Sequence, residues 1–246
     1  MPLTLSLATH ADLPAIVRAQ YAAFHPNDTL HVLVYPSPFP VPESVIEKTV
    51  QRQKENWKSN VTWLKVTDDE TGTIVAGAKW LFWPKNGAWV EKEEEGKRWP
   101  GAFDAEAVRK MRREEEGDVL EGRVGKGVDD REFVAWVMGR FMGRRGERVQ
   151  GPAALLDMCF VHPEWQGRGV GKLLVKWGTE KADELGLKGF VEASPLGRPL
   201  YEKFGFVVDE HVLLKGGSVK EEWRDYIVPE YYWMERPLKE VAAVKS

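Results

Sequence analysis

Apolar and polar positions alternate along the chain in a way that divides it into short strands and amphipathic helices. Leu3-Thr4-Leu5-Ser6-Leu7 alternates strictly and predicts a half-buried strand. Thr9 with Asp12 three residues on resembles a capped helix start. Leu13, Ile16, Gln20 and Ala23/Phe24 then follow helical spacing, with Gln20 as a polar interruption. From His25 to Pro42 the chain holds Pro26, Pro36, Pro38, Pro40 and Pro42, so an irregular stretch is expected, with no regular helix running through it. A loop of that length inside a compact domain is often functional. Ile46, Val50 and Trp57 predict a helix from Glu43 to about Trp57. Val61–Val66 and Ile74–Trp83, joined by the turn Asp68-Asp69-Glu70-Thr71-Gly72, predict an antiparallel hairpin.

Between about 85 and 150 the composition changes. Glu91-Lys92-Glu93-Glu94-Glu95, Arg112-Arg113-Glu114-Glu115-Glu116 and Arg144-Arg145 are charge clusters punctuated by glycine, and they read as a solvated insertion with one or two helices. Phe133, Trp136, Val137, Met138 and Phe141 give its end an apolar face that should pack on the core or over a cleft. The run Ala153–Val161 is apolar except for Asp157 and predicts a central strand buried on both faces, with Asp157 and Cys159 alternating onto one face. His162-Pro163-Glu164-Trp165 ends it, and Gln166–Gly171 is a glycine-rich turn. Val170, Leu173, Leu174, Trp177 and Leu185 mark an amphipathic helix. Gly189–Ala193 reads as a strand, Pro199–Phe204 as a short helix, and Phe206–Val208 and Tyr231–Glu235 as further strands.

Composition narrows the classes. At 246 residues, 43% hydrophobic and 30% charged, the chain can bury a core and is not globally disordered. A net charge of −3 argues against nucleic acid as a partner. The single cysteine, Cys159, excludes an internal disulfide and a Cys-rich zinc module, and the five histidines lack metal-ligand spacing. No apolar run is long enough to span a bilayer and the N-terminus lacks a basic leader pattern, so no membrane is expected and a cytoplasmic location is, with the nucleus not excluded. Most of the 11 tryptophans are expected in the core.

Strand, glycine-rich turn and helix together form a phosphate cradle, because the free N–H groups at a helix start favour an anion. Gly171-Lys172 is followed by Leu173, and Gln166 stands where a P-loop needs glycine. Lys172 replaces the third glycine of a dinucleotide fingerprint. What remains is Gln166-x-x-Gly169-x-Gly171 directly after a strand ending in Val161-His162-Pro163.

That pattern resembles the acetyl-CoA-binding motif of the GCN5-related N-acetyltransferase (GNAT) superfamily. Leu200-Tyr201-Glu202-Lys203-Phe204-Gly205-Phe206 resembles the family's second signature, at a fitting distance. The resemblance is strongest from about Leu155 to Val208 and assigns no role to the insertion. It implies a single α/β domain over 1–246 with an insertion at about 85–150: a mixed central sheet with splayed parallel central strands, flanked by helices. It also implies acetyl-CoA as cosubstrate, with no metal. Gln166, Gly167, Arg168, Gly169, Val170, Gly171 and Lys172 would hold the pyrophosphate, and Met158, Cys159, Phe160 and Val161 would line the pantetheine arm.

Transfer to an amine needs a neutral nitrogen and a stabilised leaving thiolate. An amine of pKa about 10.4 is neutral roughly once in 10³ at pH 7, so a carboxylate or histidine should take its proton. Glu192, Asp157, His162 and His211 are the candidates, with the two acids preferred and Glu192 first. Tyr201 matches the family's tyrosine that faces the sulfur. Cys159, in an apolar strand, is expected to pack rather than to act as a nucleophile. The expectation is an acetyl-CoA-dependent N-acetyltransferase acting on a primary amine of unidentified acceptor. The alternatives are a non-catalytic acyl-CoA-binding regulatory module and an interaction role carried by the insertion. Acceptor-contacting residues should come from the Tyr21–Tyr35 region and the insertion.

Overall fold

The computed structural model describes residues 2–25, 27–35, 37, 39–84, 126–128 and 130–239. The charge clusters at 91–95 and 112–116 lie outside them. Seven strands form one sheet in the order β1-β2-β3-β4-β5-β7-β6. They are β1 (Leu3–Leu7), β2 (Val61–Asp68), β3 (Ile74–Trp83), β4 (Ala153–Val161), β5 (Lys188–Ala193), β6 (Val207–Leu213) and β7 (Glu230–Arg236). All neighbours are antiparallel except β4 and β5. This is the mixed sheet expected from the sequence.

Helix α1 (Leu13–Phe24) follows a turn in which the Asp12 carboxylate accepts from both the Thr9 N–H (2.8 Å) and the Thr9 hydroxyl (2.9 Å). Its polar interruption has a purpose: the Gln20 side-chain amide lies 3.0 Å from the His31 Nε2. His31 belongs to α2 (Thr29–Val34), a six-residue helix inside the proline-rich stretch that was expected to be irregular throughout. Its span contains no proline, and Asp28 caps it by accepting the His31 backbone N–H at 2.8 Å. Helix α3 (Glu43–Glu55) packs with α1 on the same face of the sheet, burying Ile16, Val50 and Trp63.

Helix α4 (Arg131–Arg148) ends the insertion. Asp130 caps it, accepting from the N–H groups of Glu132 (2.9 Å) and Phe133 (3.0 Å), and ties it to the C-terminal segment through Trp223 Nε1 and the Tyr226 hydroxyl, both at 3.1 Å. Phe133 and Val137 are fully buried against α2 and β7, as their spacing predicted. The solvated reading fails at Arg145, which is 6% exposed. Arg144 and Arg148 meet Glu210 and Asp209 of β6 and so stay at the surface.

Helix α5 (Val170–Glu184) covers the opposite face with the short helix α6 (Arg198–Glu202). Leu185, read as part of its apolar stripe, is 39% exposed, and Ala182 and Leu187 complete the stripe instead. Gly178 sits directly over the buried Trp80 indole, which a Cβ at that position would strike. We therefore expect Gly178→Ala to cost about 1–3 kcal/mol by overpacking, although Ala in a helix interior is otherwise about 1 kcal/mol better than Gly. A lowered urea midpoint is the readout, and an unchanged one would show that α5 does not rest on Trp80.

Candidate active site

The glycine-rich turn starts where β4 stops. Gln166 folds back and donates from Nε2 to the Val161 carbonyl at 3.0 Å, closing the turn. Gly167 and Gly169 adopt φ of +74° and +84°, a region costly for residues with a Cβ. No atom lies within 4 Å of where either Cβ would stand, so the turn is open on that side. Gly169 is the cap residue of α5; its carbonyl accepts the Lys172 N–H at 3.0 Å, and the N–H groups ahead of Lys172 have no acceptor within the helix. Gly171 permits a close approach instead, since a Cβ there would touch Leu200 of α6 at 3.1 Å. The first turn carries no acid. Lys172 is exposed, and the exposed Arg168 guanidinium lies over the Trp165 ring at 5.2 Å. These residues fit a pyrophosphate: exposed backbone donors, two cations and no acid in the first turn of α5.

Strands β4 and β5 pair only from Ala153↔Lys188 to Leu156↔Val191. Beyond that they part, as the resemblance implied. At the same level β4 bulges: Trp80 of β3 faces Leu156 and Lys79 faces Met158, leaving Asp157 as the extra residue. The bulge overturns the expected alternation of Asp157 and Cys159. Cys159 packs with the α5-side cluster, Met158 and Phe160 pack toward α1, and Asp157 meets Lys79 and Arg145.

Arg145 bridges the parting strands. Its guanidinium donates to Asp157 Oδ1 at 2.6 Å and to both Glu192 oxygens, at 2.5 and 3.0 Å. Lys79 Nζ lies 3.0 Å from the other Asp157 oxygen. Burial alone would raise the Asp157 carboxyl, but Lys79 and Arg145 outweigh it and hold the group well below the usual carboxylate range. Glu192 goes the other way. Its burial is greater than the shared Arg145 can offset, and the neighbouring Asp157 charge adds to the rise.

Tyr201 projects from α6 into the same region and is 7% exposed. Burial lifts its phenol well above 10, and the neighbouring Cys159 adds to the rise. Burial pushes the Cys159 thiol to about 12 despite the Tyr201 hydroxyl, so the thiol stays protonated at neutral pH. That agrees with Cys159 as a packed residue rather than a nucleophile.

A cavity of about 750 Å³ runs through the parting, reaching Tyr201 and Cys159 on one side and Asp28, His31, Phe141 and Arg145 on the other. The two segments expected on the acceptor side, Tyr21–Tyr35 and the insertion, thus both contribute to its wall through α2 and α4. His162 and His211 do not reach it: His162 sits in the turn after β4, and His211 on β6 pairs with Glu230 at 2.8 Å. Sequence reasoning missed Asp28, His31 and Arg145. Asp28 and His31 sit in a segment without periodicity, and the partners of Arg145 are 12 and 47 residues away.

Residues 88–206 match the model of the acetyltransferase (GNAT) family. The chain has the GNAT-superfamily acetyltransferase fold. The match supports acetyl-CoA-dependent acetyl transfer in general terms. Three solved structures share the GNAT fold over nearly the whole chain. One is described as histone acetyltransferase HPA2 and related acetyltransferase, from Corynebacterium glutamicum (20% identity, TM-score 0.58, 99% of this chain and 100% of that one). The others are arylalkylamine N-acetyltransferase 2 from Aedes aegypti (10%, 0.60, 97% and 100%) and mosquito arylalkylamine N-acetyltransferase like 5b (14%, 0.56, 96% and 100%). At these identities the likeness is one of fold. Among the described residues no group of His, Cys, Asp and Glu is arranged to hold a metal ion, and no helix is long and apolar enough to cross a membrane.

The Arg145 bridge generates a stability prediction. Arg145→Met strands Glu192 and leaves Asp157 with Lys79 alone, and should cost about 3–5 kcal/mol, the range for breaking a buried pair. The acids differ in pH dependence. Asp157 is depressed in the fold, so its stabilisation is present above the unfolded value of about 3.9 and is lost as pH falls through the lower folded value. Glu192 is raised, so its ionisation opposes folding as pH rises. Asp157→Asn should therefore be the more damaging at pH 7, with the gap to Glu192→Gln narrowing below about pH 4. Urea titrations of the three variants across pH check this, and equal losses at every pH would refute it.

Proposed function

We propose that the protein is an N-acetyltransferase that moves an acetyl group directly from acetyl-CoA to a primary amine. One observation carries the reading: the open glycine turn continues from the strand that parts from β5, and Tyr201 stands on the wall of the gap between them. In this reading Gln166, Gly167, Arg168, Gly169, Val170, Gly171 and Lys172 bind the pyrophosphate, and Met158–Val161, which have no ladder partner on β5, bind the pantetheine arm. Acetyl-CoA supplies the activated thioester.

Tyr201 then serves the leaving sulfur. From reference values, a phenol would lose its proton to a thiolate uphill by about 1.5 units. Burial of Tyr201 widens that gap, which favours a hydrogen-bond donor to the developing thiolate over complete proton donation. Asp157 and Glu192 are assigned as positioning residues rather than as the base. Arg145 and Lys79 already occupy their oxygens, and the resulting bridge holds α4 against the parting strands.

The same ion pairing is the observation that favours the alternative, an acyl-CoA-binding module without turnover. Release of free coenzyme A over a panel of amines separates the two. The relatives above are named for different acceptors, so the fold does not choose one.

Three outcomes test the assignment. Gly169→Glu puts a strained backbone and an anion at the open turn and should weaken acetyl-CoA binding by more than tenfold while the protein stays folded; unchanged calorimetric affinity would refute the turn's role. Tyr201→Phe keeps the ring, so acetyl-CoA affinity should hold while kcat falls by about 10²–10³-fold, the range for losing one donor to a developing anion. A kcat within twofold would make Tyr201 a packing residue. Glu192→Gln and Asp157→Asn should each leave the acidic limb of the pH–rate profile in place, and loss of that limb in either variant would identify that residue as the base.

A further inference from the structure

Among the described residues four carboxylates line the cavity: Asp28, Asp157, Glu192 and Glu230. Asp157 and Glu192 are neutralised by Arg145 and Lys79, and Glu230 pairs with His211. Asp28 meets no cation among the described residues; its Oδ1 accepts the His31 backbone N–H at 2.8 Å. It lines the same cavity as Tyr201, and its charge adds to the rise of that phenol. The wall around it is largely apolar and aromatic, with Phe24, Tyr35, Leu81, Trp83, Phe141 and Tyr231.

We propose that Asp28 receives the acceptor's ammonium group and takes its proton, and that the acceptor is a small monoamine with an apolar or aromatic body. This rests on the transferase reading. The ammonium gives one proton to the Asp28 carboxylate. The neutral nitrogen attacks the acetyl carbonyl, and the carbon–sulfur bond breaks with its electron pair going to sulfur. The Tyr201 hydroxyl donates a hydrogen bond to the departing thiolate, which takes up the nitrogen's second proton through water, and Asp28 returns the first to water. The products are an amide, a thiol and one proton. Among the described residues a polyamine or lysine-rich peptide would meet no second cavity carboxylate without a side-chain partner, since Arg145, Lys79 and His211 already hold the other three.

Burial raises the Asp28 carboxyl against the His31 and Leu30 N–H groups that lower it, which suits a proton acceptor. The groups around it do not titrate in its place. Burial holds His31 and, less strongly, His25 below the usual histidine range, so both are neutral at pH 7. Tyr21 and Cys159 lose protons only near 12, and Tyr201 well above 10. Arg52 of α3, Lys58, Lys79 of β3 and Arg145 of α4 are the basic side chains on the remaining walls among the described residues.

The test uses Asp28→Asn and Asp28→Ser, because Asn and Ser both keep the cap of α2 and so preserve the fold. The probes are 2-phenylethylamine, spermidine and an alanine-initiated peptide. Wild type should release coenzyme A from acetyl-CoA with 2-phenylethylamine at a kcat/KM at least tenfold above the other two. Both variants should bind acetyl-CoA as wild type does, bind 2-phenylethylamine at least tenfold more weakly in calorimetry on the coenzyme A complex, and lose about 10²–10⁴-fold in kcat. Their acidic limb should disappear, with the deficit shrinking as pH approaches the amine's own pKa. Variants within twofold of wild type, or a limb retained in both, overturn the role of Asp28 and leave the transferase reading standing. Preference for spermidine or the peptide overturns the monoamine class. Acetyl-CoA binding by wild type with no release to any amine overturns the transferase reading and this inference with it.

Discussion

Parallel strands that pair for a few residues and then separate leave backbone groups and side chains facing a gap. Here β4 and β5 part after Leu156 and Val191, and the molecule must close that gap on one face and keep it open to a ligand on the other. The buried guanidinium of Arg145 closes it, gripping Asp157 on one strand and Glu192 on the next. An uncompensated charge at such depth would cost several kcal/mol. The arrangement therefore stands only because each member answers another: two carboxylates, one guanidinium and Lys79. It also explains why the insertion ends in a helix packed on the sheet. Asp130 fixes the start of α4 and Arg145 fixes its end, so the Phe141 wall of the cavity is held at both ends.

Much of this frame is legible in the sequence because it is local. The hairpin of β2 and β3, the apolar run of β4 and the glycine turn each declare themselves within a dozen residues, through period-two alternation or through residues that only a turn requires. The glycine turn was readable as a turn because positive φ at Gly167 and Gly169 is a conformation that glycine adopts at little cost. What failed to show was set by other parts of the chain. Arg144-Arg145 has the look of a solvated pair, and only the fold turns one of them inward. Strict alternation put Asp157 and Cys159 on one face, and a single extra residue opposite Lys79 separated them. The prolines around α2 hid a helix short enough to fit between them, and with it a carboxylate that no motif announces.

The bulge and the parting have one further consequence, which concerns how labour is divided across the sheet. Because Asp157 is the extra residue, the side chains of β4 beyond it swap faces: Cys159 and Val161 turn toward α5, Met158 and Phe160 toward α1. Tyr201 and the glycine turn belong to the α5 face, where the sulfur end and the phosphate end of one long ligand can be served by a single strand and the helix after it. Asp28, His31 and the aromatic wall belong to the opposite face. Along an unbroken pair of strands these two sets would be sealed from each other by a continuous ladder. They share a cavity because the ladder stops at Leu156, and the ion pairs that stop it from collapsing also remove two of the cavity's acids from chemistry. In the proposed reading, ligands entering from opposite faces meet at that single interruption, and the base comes from a segment outside the sheet.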